Sequence, residues 1–333
     1  MTNTGLHAID PLAPKTQWSM VPTIDPHKTF GSAKIWNPGG APVIRSSTIF
    51  AVFGGKSAGT GTGRDRNVIQ LIATDAGDST WDTTIDLGAD GNSSKPLSIA
   101  GVTDTSIVIT TASMWGLPVF PLPDSAHTWV IDRTTHQVRW ERAGMYTGHV
   151  DNDTLVGIVA ANPTSSKRGV LGLSLSDGSQ RWQKEFPGYT RMFIQDIEGM
   201  TLVDSEGGGL ELISTVTGDA LYRRDRLGAL TCHFDELKTV VCQPQVGDSV
   251  ILAFDITAPG SPEWEFATDG AREAPTVTAA YHGLIYGHNS KRQGVVLDAS
   301  TGQDAPDPPG FVPVLANEYV GIAEDFSVGI PTK

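Results

Sequence analysis

Cysteine is almost missing from this chain of 333 residues: only Cys232 and Cys242 are present. No further Cys and no clustered His completes a zinc site around them. Positive charge is scarce as well. Lys and Arg number 24 against 37 Asp and Glu, a formal net charge of −13. Without a basic patch, a chain of that sign repels nucleic acid and anionic lipid. The nearest basic cluster is Arg223, Arg224 and Arg226, interrupted by Asp225, and it reads as solvated charge on a strand edge. Long apolar runs are missing too, so no segment suits a membrane span. Residues 1–5, Met1 to Gly5, lack the basic and apolar regions of a secretory leader. The expectation is a signal or membrane anchor upstream, with this chain as the soluble part.

What is present is turn-forming and moderately apolar. There are 37 Gly and 21 Pro, with 39% apolar and 18% charged residues. That is too apolar for disorder and too rich in turn formers for a helical protein. The length would suit two average domains, but all-β rings often run this long as one.

Internal repetition decides the fold. Residues 171–182 and 211–222 are the clearest copies, and 129–140 follows the same plan. So do residues 252–255 reaching Trp264, residues 71–75 reaching Trp81, and residues 6–10 reaching Trp18. Residues 295–302 form a copy without its aromatic. The anchors are Asp10, Asp75, Asp132, Ser174, Ser214, Asp255 and Asp298. The last five lie 40 to 43 residues apart, the length of a four-stranded propeller blade. The first two intervals, 65 and 57, carry insertions.

Each part of the repeat has a physical task. The apolar run is a buried strand. The Asp or Ser ends it, and its side-chain oxygen accepts a turn N–H. A glycine such as Gly178, Gly218 or Gly302 takes positive φ and closes the hairpin. The aromatic, Trp18, Trp81, Trp140, Trp182, Tyr222 or Trp264, opens the return strand and offers a flat face to the neighbouring blade. A second apolar strand precedes each motif, at residues 48–53, 106–111, 154–160, 200–203, 239–243, 284–287 and 319–323. The architecture expected is an all-β, seven-bladed propeller of four-stranded antiparallel blades, one domain over 1–333. Its N-terminal strands would close the ring and remove two exposed edges. Residues 326–330 are a further candidate strand and compete with residues 6–10 for that place.

The pattern of Ala, then Asp two positions on, then Thr-Gly and a Trp, resembles the repeat of PQQ-like propellers, the quinoprotein alcohol dehydrogenase-like group. The likeness runs over nearly the whole chain. Copies depart from it: Gly172 or Leu212 stands for Ala, Ser174 and Ser214 for Asp, Tyr222 for Trp. WD40 propellers are the rival, but they want Trp-Asp in most blades, and Trp81-Asp82 stands alone. The resemblance implies the fold. It does not select among the dehydrogenases, envelope-assembly lipoproteins and sensor domains that share it. Enzymes of the group hold their quinone beneath a disulfide of adjacent cysteines, with Ca²⁺ beside it. Here the cysteines are ten positions apart, so neither cofactor nor metal is expected.

Other chemistry is equally thin. Gly55-Lys56-Ser57 superficially resembles a phosphate loop, but Phe50 stands where the first Gly belongs, and residues 54–63 read as a flexible loop. Asp86, Asp90 and Asn92 crowd a glycine-containing turn without the spacing of a calcium loop. His282 and His288 share strand parity without a third ligand. No Gly-x-Ser-x-Gly elbow occurs. No catalytic residue is therefore assigned. Cys232 and Cys242 flank a short reversal at Asp235-Glu236, which brings them within reach of a disulfide. An isolated intracellular pair would more often stay reduced.

Two functions remain. One is an extracytoplasmic binding or scaffold propeller in a periplasm-like space or at the cell surface, whose partner is a protein or envelope component. The other is an enzyme, an oxidoreductase or a polysaccharide-active hydrolase or lyase, with its site at the channel mouth. The two insertions, residues 54–67 and 113–126, fall between equivalent strands of successive blades and should emerge on one face. The second carries Met114, Trp115, Leu117 and Phe120 among three prolines, the composition of a partner-binding loop. The same side chains could equally fold back over the ring itself.

Overall fold

Successive side chains of a strand point to opposite faces, and the runs in this chain are apolar on both. Each sheet therefore has two faces to bury. The computed structural model describes residues 6–9, 16–26, 42–57, 65–75, 77–87, 95–115, 120–151, 153–160, 168–186, 192–197, 199–205, 209–225, 230–244, 250–266, 273–306, 311–316, 321–323 and 328–329. Among them there is no helix. By its contacts the chain divides into two compact units, Met1–Arg191 and Met192–Lys333.

In the first unit, β1 (Leu6–Ile9) pairs with β2 (Thr16–Met20) as a hairpin. Next, β3 (Asp25–Pro26) and β4 (Val43–Arg45) both pair with β5 (Thr48–Ser57), which continues into β6 (Arg66–Asp75) and β7 (Asp78–Asp86). Two four-stranded meanders follow. One is β8 (Leu97–Val102), β9 (Ser106–Trp115), β10 (Phe120–Asp132) and β11 (Val138–Ala143). The other is β12 (Met145–Val150), β13 (Thr154–Ala160), β14 (Arg168–Ser174) and β15 (Gln180–Phe186).

The second unit repeats the plan. Its first sheet is β16 (Met192–Ile197), β17 (Met200–Ser205), β18 (Gly209–Ser214) and β19 (Ala220–Arg224). Its second is β20 (Leu230–Phe234), β21 (Thr239–Pro244), β22 (Leu252–Asp255) and β23 (Trp264–Glu265). Two three-stranded sheets complete it: β24 (Thr276–Tyr281), β25 (Leu284–His288), β26 (Gly294–Asp298), and β27 (Pro313–Ala316), β28 (Gly321–Ala323), β29 (Val328–Gly329). Of the two claimants to the edge of β28, β29 holds it, Ile322 pairing with Val328. Antiparallel meanders repeated along the chain and buried face against face make a β-propeller.

Strand parity sorts the core. Ile107, Ile109, Trp129 and Ile131 pack on Phe50, Val52, Ile69 and Leu71 of the preceding sheet. Val108 and Val130 point the other way and pack on Met145, Leu155, Leu171 and Leu173 of the following one. In the second unit, Val240 and Cys242 pack with Leu202 and Leu212, while Val241 packs with Val277 and Ile285.

The repeat's aromatic grips the next sheet's turn. Trp18 lies on Gly77 of the β6–β7 turn, where a Cβ would fall 2.7 Å from the indole. Trp140 lies on Gly178 of the β14–β15 turn, and its Nε1–H donates to the Leu175 carbonyl at 3.0 Å. Trp264 lies on Gly302, donating to the Ala299 carbonyl at 2.8 Å. Those glycines have φ of 96°, 72° and 67°, so both the backbone and the missing Cβ are needed. In the turn after Asp132 the equivalent residue is His136, at φ 59°, and Trp81 stacks flat on its ring with centroids 4.1 Å apart. Tyr222 meets Phe254 edge-on at 5.1 Å. Trp182 lies against Gly172 of its own sheet, where a Cβ would come within 2.2 Å. That approach is why glycine replaces the alanine of the repeat.

The anchors also do what their chemistry suggests. Asp132 Oδ1 accepts the N–H groups of Thr134 and Thr135 at 2.8 and 2.9 Å. Asp298 accepts those of Ser300 and Thr301, both at 3.0 Å, and Asp255 that of Thr257 at 2.8 Å. Ser214 Oγ accepts from Thr217 at 3.3 Å. The Gly178, Gly218 and Gly302 N–H groups each return to the anchor carbonyl at 2.9 Å. Hydrogen bonds from Ser300 and Thr301 hold the Asp298 carboxyl below the usual range, and those from Thr257 do the same for Asp255. Asp75 ends β6 opposite Asp78, and Asp10 lies outside the described residues.

The N-terminal hairpin meets its neighbour as a preceding blade would. Leu6, Met20 and Trp18 cover Ala51, Phe53, Val68 and Ile72. Buried Gln70 fastens the chain after β2, accepting from Thr23 N at 2.9 Å and donating to Thr23 Oγ1 and Asp82, both at 2.7 Å. Deleting residues 1–20 uncovers that face. Losing three large side chains at about 1.5–3 kcal/mol each should lower the melting temperature by about 10 °C, or cause aggregation. Scanning calorimetry reads the difference, and a truncated protein that melts with the parent would show the hairpin to be dispensable.

Candidate functional site

Two hairpins outgrow their equivalents. β5 pairs with β6 out to Ser57 and Arg66, and β9 with β10 out to Trp115 and Phe120. The equivalent strands β13 and β14 have seven residues each. The strands thus reach into both insertions expected as loops, over 54–57 and 66–67 in the first and 113–115 and 120–126 in the second, while 58–64 and 116–119 lie outside the described residues. Gly55, Lys56 and Ser57 lie on β5, opposite Val68, Asn67 and Arg66, and form no phosphate loop. Gly55 is there because Asp25 O of β3 would sit 2.3 Å from a Cβ.

In the second hairpin the ladder breaks between Leu122 and His127. Pro121 and Pro123 have no N–H to give it. Residues 123–126 bulge, and Ser125 closes the gap: its Oγ accepts from Ser113 N at 2.8 Å and donates to Leu122 O at 2.9 Å. Lys95 Nζ donates to the Ser125 carbonyl at 2.7 Å. His127 stacks on Trp129 at 4.2 Å and lies 3.2 Å from Glu141 Oε2. Burial lowers the His127 pKa, although Glu141 opposes the shift. Met114 and Trp115 end β9, and Phe120 begins β10. Leu117 lies outside the described residues, as do the side chains of the other three.

The remaining candidates separate. Asp86 pairs with Arg66 at 2.7 Å, while Asp90 and Asn92 fall outside the described residues. His282 stacks on Tyr281, whereas His288 contacts the Asn289 carbonyl and Arg292. Among the described residues no three of His, Cys, Asp and Glu gather as a metal site. Of the basic cluster, Arg223 and Arg224 lie on the edge strand β19 and Arg226 lies outside the described residues. Arg224 also makes a two-pronged pair with Glu265 of the next sheet's outer strand, at 2.7 and 2.9 Å. Arg223 pairs with Asp225 at 3.1 Å.

Cys232 and Cys242 are joined. They stand directly opposite each other on β20 and β21. The reversal between them rests on Asp235, a residue sequence reasoning saw only as turn. Buried at 1% exposure, it accepts the N–H groups of Leu237, Lys238 and Thr239 on Oδ1 and that of Gly283 on Oδ2. It thereby ties its own turn to the β24–β25 turn.

No family model and no curated protein matches the sequence. Among solved structures the chain is similar to the computationally designed Ika8 protein, with a TM-score of 0.50 and 14% identity over 85% of this chain and 80% of that one. BamB from Moraxella catarrhalis aligns with a TM-score of 0.48 and 16% identity over 94% and 84% of the two chains. A europium-containing methanol dehydrogenase aligns at 0.49 and 12%, over 98% and 80%. At such identities the likeness is one of fold, and the site has to be read from its own residues.

The disulfide yields a direct check. It closes a loop of ten residues, which the loop-entropy account converts to about 2–3 kcal/mol. Non-reducing peptide mapping should recover Cys232 and Cys242 in linked peptides, and reduction should lower stability by that amount. Two alkylatable thiols in protein from an oxidising compartment would contradict the pairing.

Proposed function

We propose that this protein is a non-enzymatic binding or scaffold propeller of the PQQ-like type, acting in an extracytoplasmic space on a protein or envelope component. In this reading residues 1–333 form one domain of seven blades, with the N-terminal hairpin taking part in its closure. The observation that carries the proposal is the outgrown β9–β10 hairpin. Beyond the buried strand residues 107–112, its segment 113–123 contains no charged residue. In a chain with net charge −13, such a segment suits a partner's apolar surface. Pro118, Pro121 and Pro123 stiffen it, so little chain entropy is lost on docking. Met114, Trp115, Leu117 and Phe120 supply the residue types that dominate interface hot spots. The Cys232–Cys242 bond supports an oxidising compartment.

Replacing both Trp115 and Phe120 with Ser tests the reading. A pull-down from envelope extract should lose the partner, with binding weakened at least about 100-fold for two aromatic anchors at about 2 kcal/mol each, while the melting temperature holds. A marked drop in melting temperature would place these side chains in the core and remove the docking site.

A further inference from the structure

We propose that Arg168 is a carboxylate-binding residue whose ligand is an acidic side chain of the partner docked on the β9–β10 hairpin, an inference that rests on the binding reading above. Arg168 opens β14, paired with Ala160 on one side and Phe186 on the other. It is 8% exposed and Phe186 is 7% exposed. The guanidinium Nη1 is buried and has no hydrogen-bond partner. A guanidinium carries five N–H donors in a planar fork, and a buried donor left unpaired is costly.

The anion offered to it is Asp124, and the fit is poor. Asp124 Oδ2 lies 3.7 Å from Nη1, beyond hydrogen-bonding distance, and the Asp124 side chain is 70% exposed. Other pairs in the protein are made properly: Arg181 holds Asp153 at 2.8 and 3.0 Å, and Arg224 holds Glu265 at 2.7 and 2.9 Å. Asp124 thus marks the position of a carboxylate without satisfying Nη1. It sits in the 123–126 bulge, at the foot of the uncharged hairpin, so anything docking along the hairpin arrives beside it.

The source of the carboxylate follows from the charge. A chain of net charge −13 disfavours free small anions. A carboxylate carried by a docked partner comes at high effective concentration and escapes that penalty. It would meet Nη1 with a charge-assisted hydrogen bond, and Asp124 would turn out to solvent. The partner expected is an apolar surface bearing an Asp or Glu at its edge.

The test needs no partner. Acetate serves as the probe, compared with chloride at equal ionic strength, and the melting temperature is the readout. Asp124→Ala removes the resident carboxylate from an exposed position. Acetate at a few times its dissociation constant should then raise the melting temperature of that variant by about 1–2 °C, and that of the parent by clearly less. Adding Arg168→Met should abolish the response. Equal responses in the parent and in Asp124→Ala would overturn the proposal, as would a response that survives Arg168→Met. Should the double variant fail to fold, the comparison of parent with Asp124→Ala decides alone. The outcome is separable from that of the docking reading: loss of binding on replacing Trp115 and Phe120 without any acetate response refutes only the Arg168 site, whereas an acetate response with binding retained leaves Arg168 a carboxylate site but overturns the hairpin-docked partner as the source of its ligand.

Discussion

One contact is made by four of the repeat aromatics, Trp18, Trp81, Trp140 and Trp264: the ring of one repeat lies on the turn of the next. A four-stranded sheet of apolar strands has two faces to cover and cannot stand alone. Burial supplies the attraction between sheets but no register, because leucine on valine is much the same one residue along. The indole on the turn glycine is specific. It needs a positive-φ residue with no side chain beneath the ring, and in two cases its N–H finds one carbonyl, Leu175 or Ala299. Other features are arranged around that contact. Asp and Ser anchors shape the turn that receives the ring. The Arg224–Glu265 pair ties outer strands one repeat apart, and Asp235 ties inner turns in the same way.

Much of this was legible in the sequence because the repeat is written in residues with narrow roles. The strands β5, β9, β13, β17, β21 and β25 begin at the residues the apolar pattern marks. The turns fall after Asp132, Ser174, Ser214, Asp255 and Asp298, where an oxygen accepts turn N–H groups or a carbonyl receives the glycine. What was not legible depends on contacts distant in sequence. The pairing of Arg224 was not visible because its partner is 41 positions away. Asp235 looked like any turn Asp because the Gly283 N–H it accepts belongs to another sheet. His136 broke the glycine rule, and only the flat stack under Trp81 explains how the site accepts it. The extension of the strands into the two insertions was not legible, because Gly54 and Gly55, and the prolines around Phe120, are usually breakers. In β5 the glycines instead make room for β3, and in β10 the prolines concentrate the break into one bulge that Ser125 repairs.

The candidate site was legible in composition and not in form. An uncharged, aromatic, proline-containing stretch in an acidic chain is visible from residue types alone. That it is a hairpin with a hydroxyl-sealed bulge, beside a buried guanidinium in the next sheet, is not. Neither Arg168 nor Ser125 carries a local signal: an Arg opening an apolar strand and a Ser after Pro-Asp are both ordinary. Their meaning comes from burial and from the missing or substituted hydrogen bonds around them.

The central claim is that Trp18, Trp81, Trp140 and Trp264 each hold the turn of the following sheet. Hydrogen exchange on a Trp140→Ala variant tests it most directly. The account predicts faster exchange at Ser174, whose N–H donates to Ser179 O, and at Gly178, whose N–H donates to Ser174 O, both in the sheet after the substitution. The equivalent amides at Asp298 and Gly302, held by Trp264, should keep their protection. Faster exchange confined to β10 and β11, with the 174–179 turn unchanged, would contradict it.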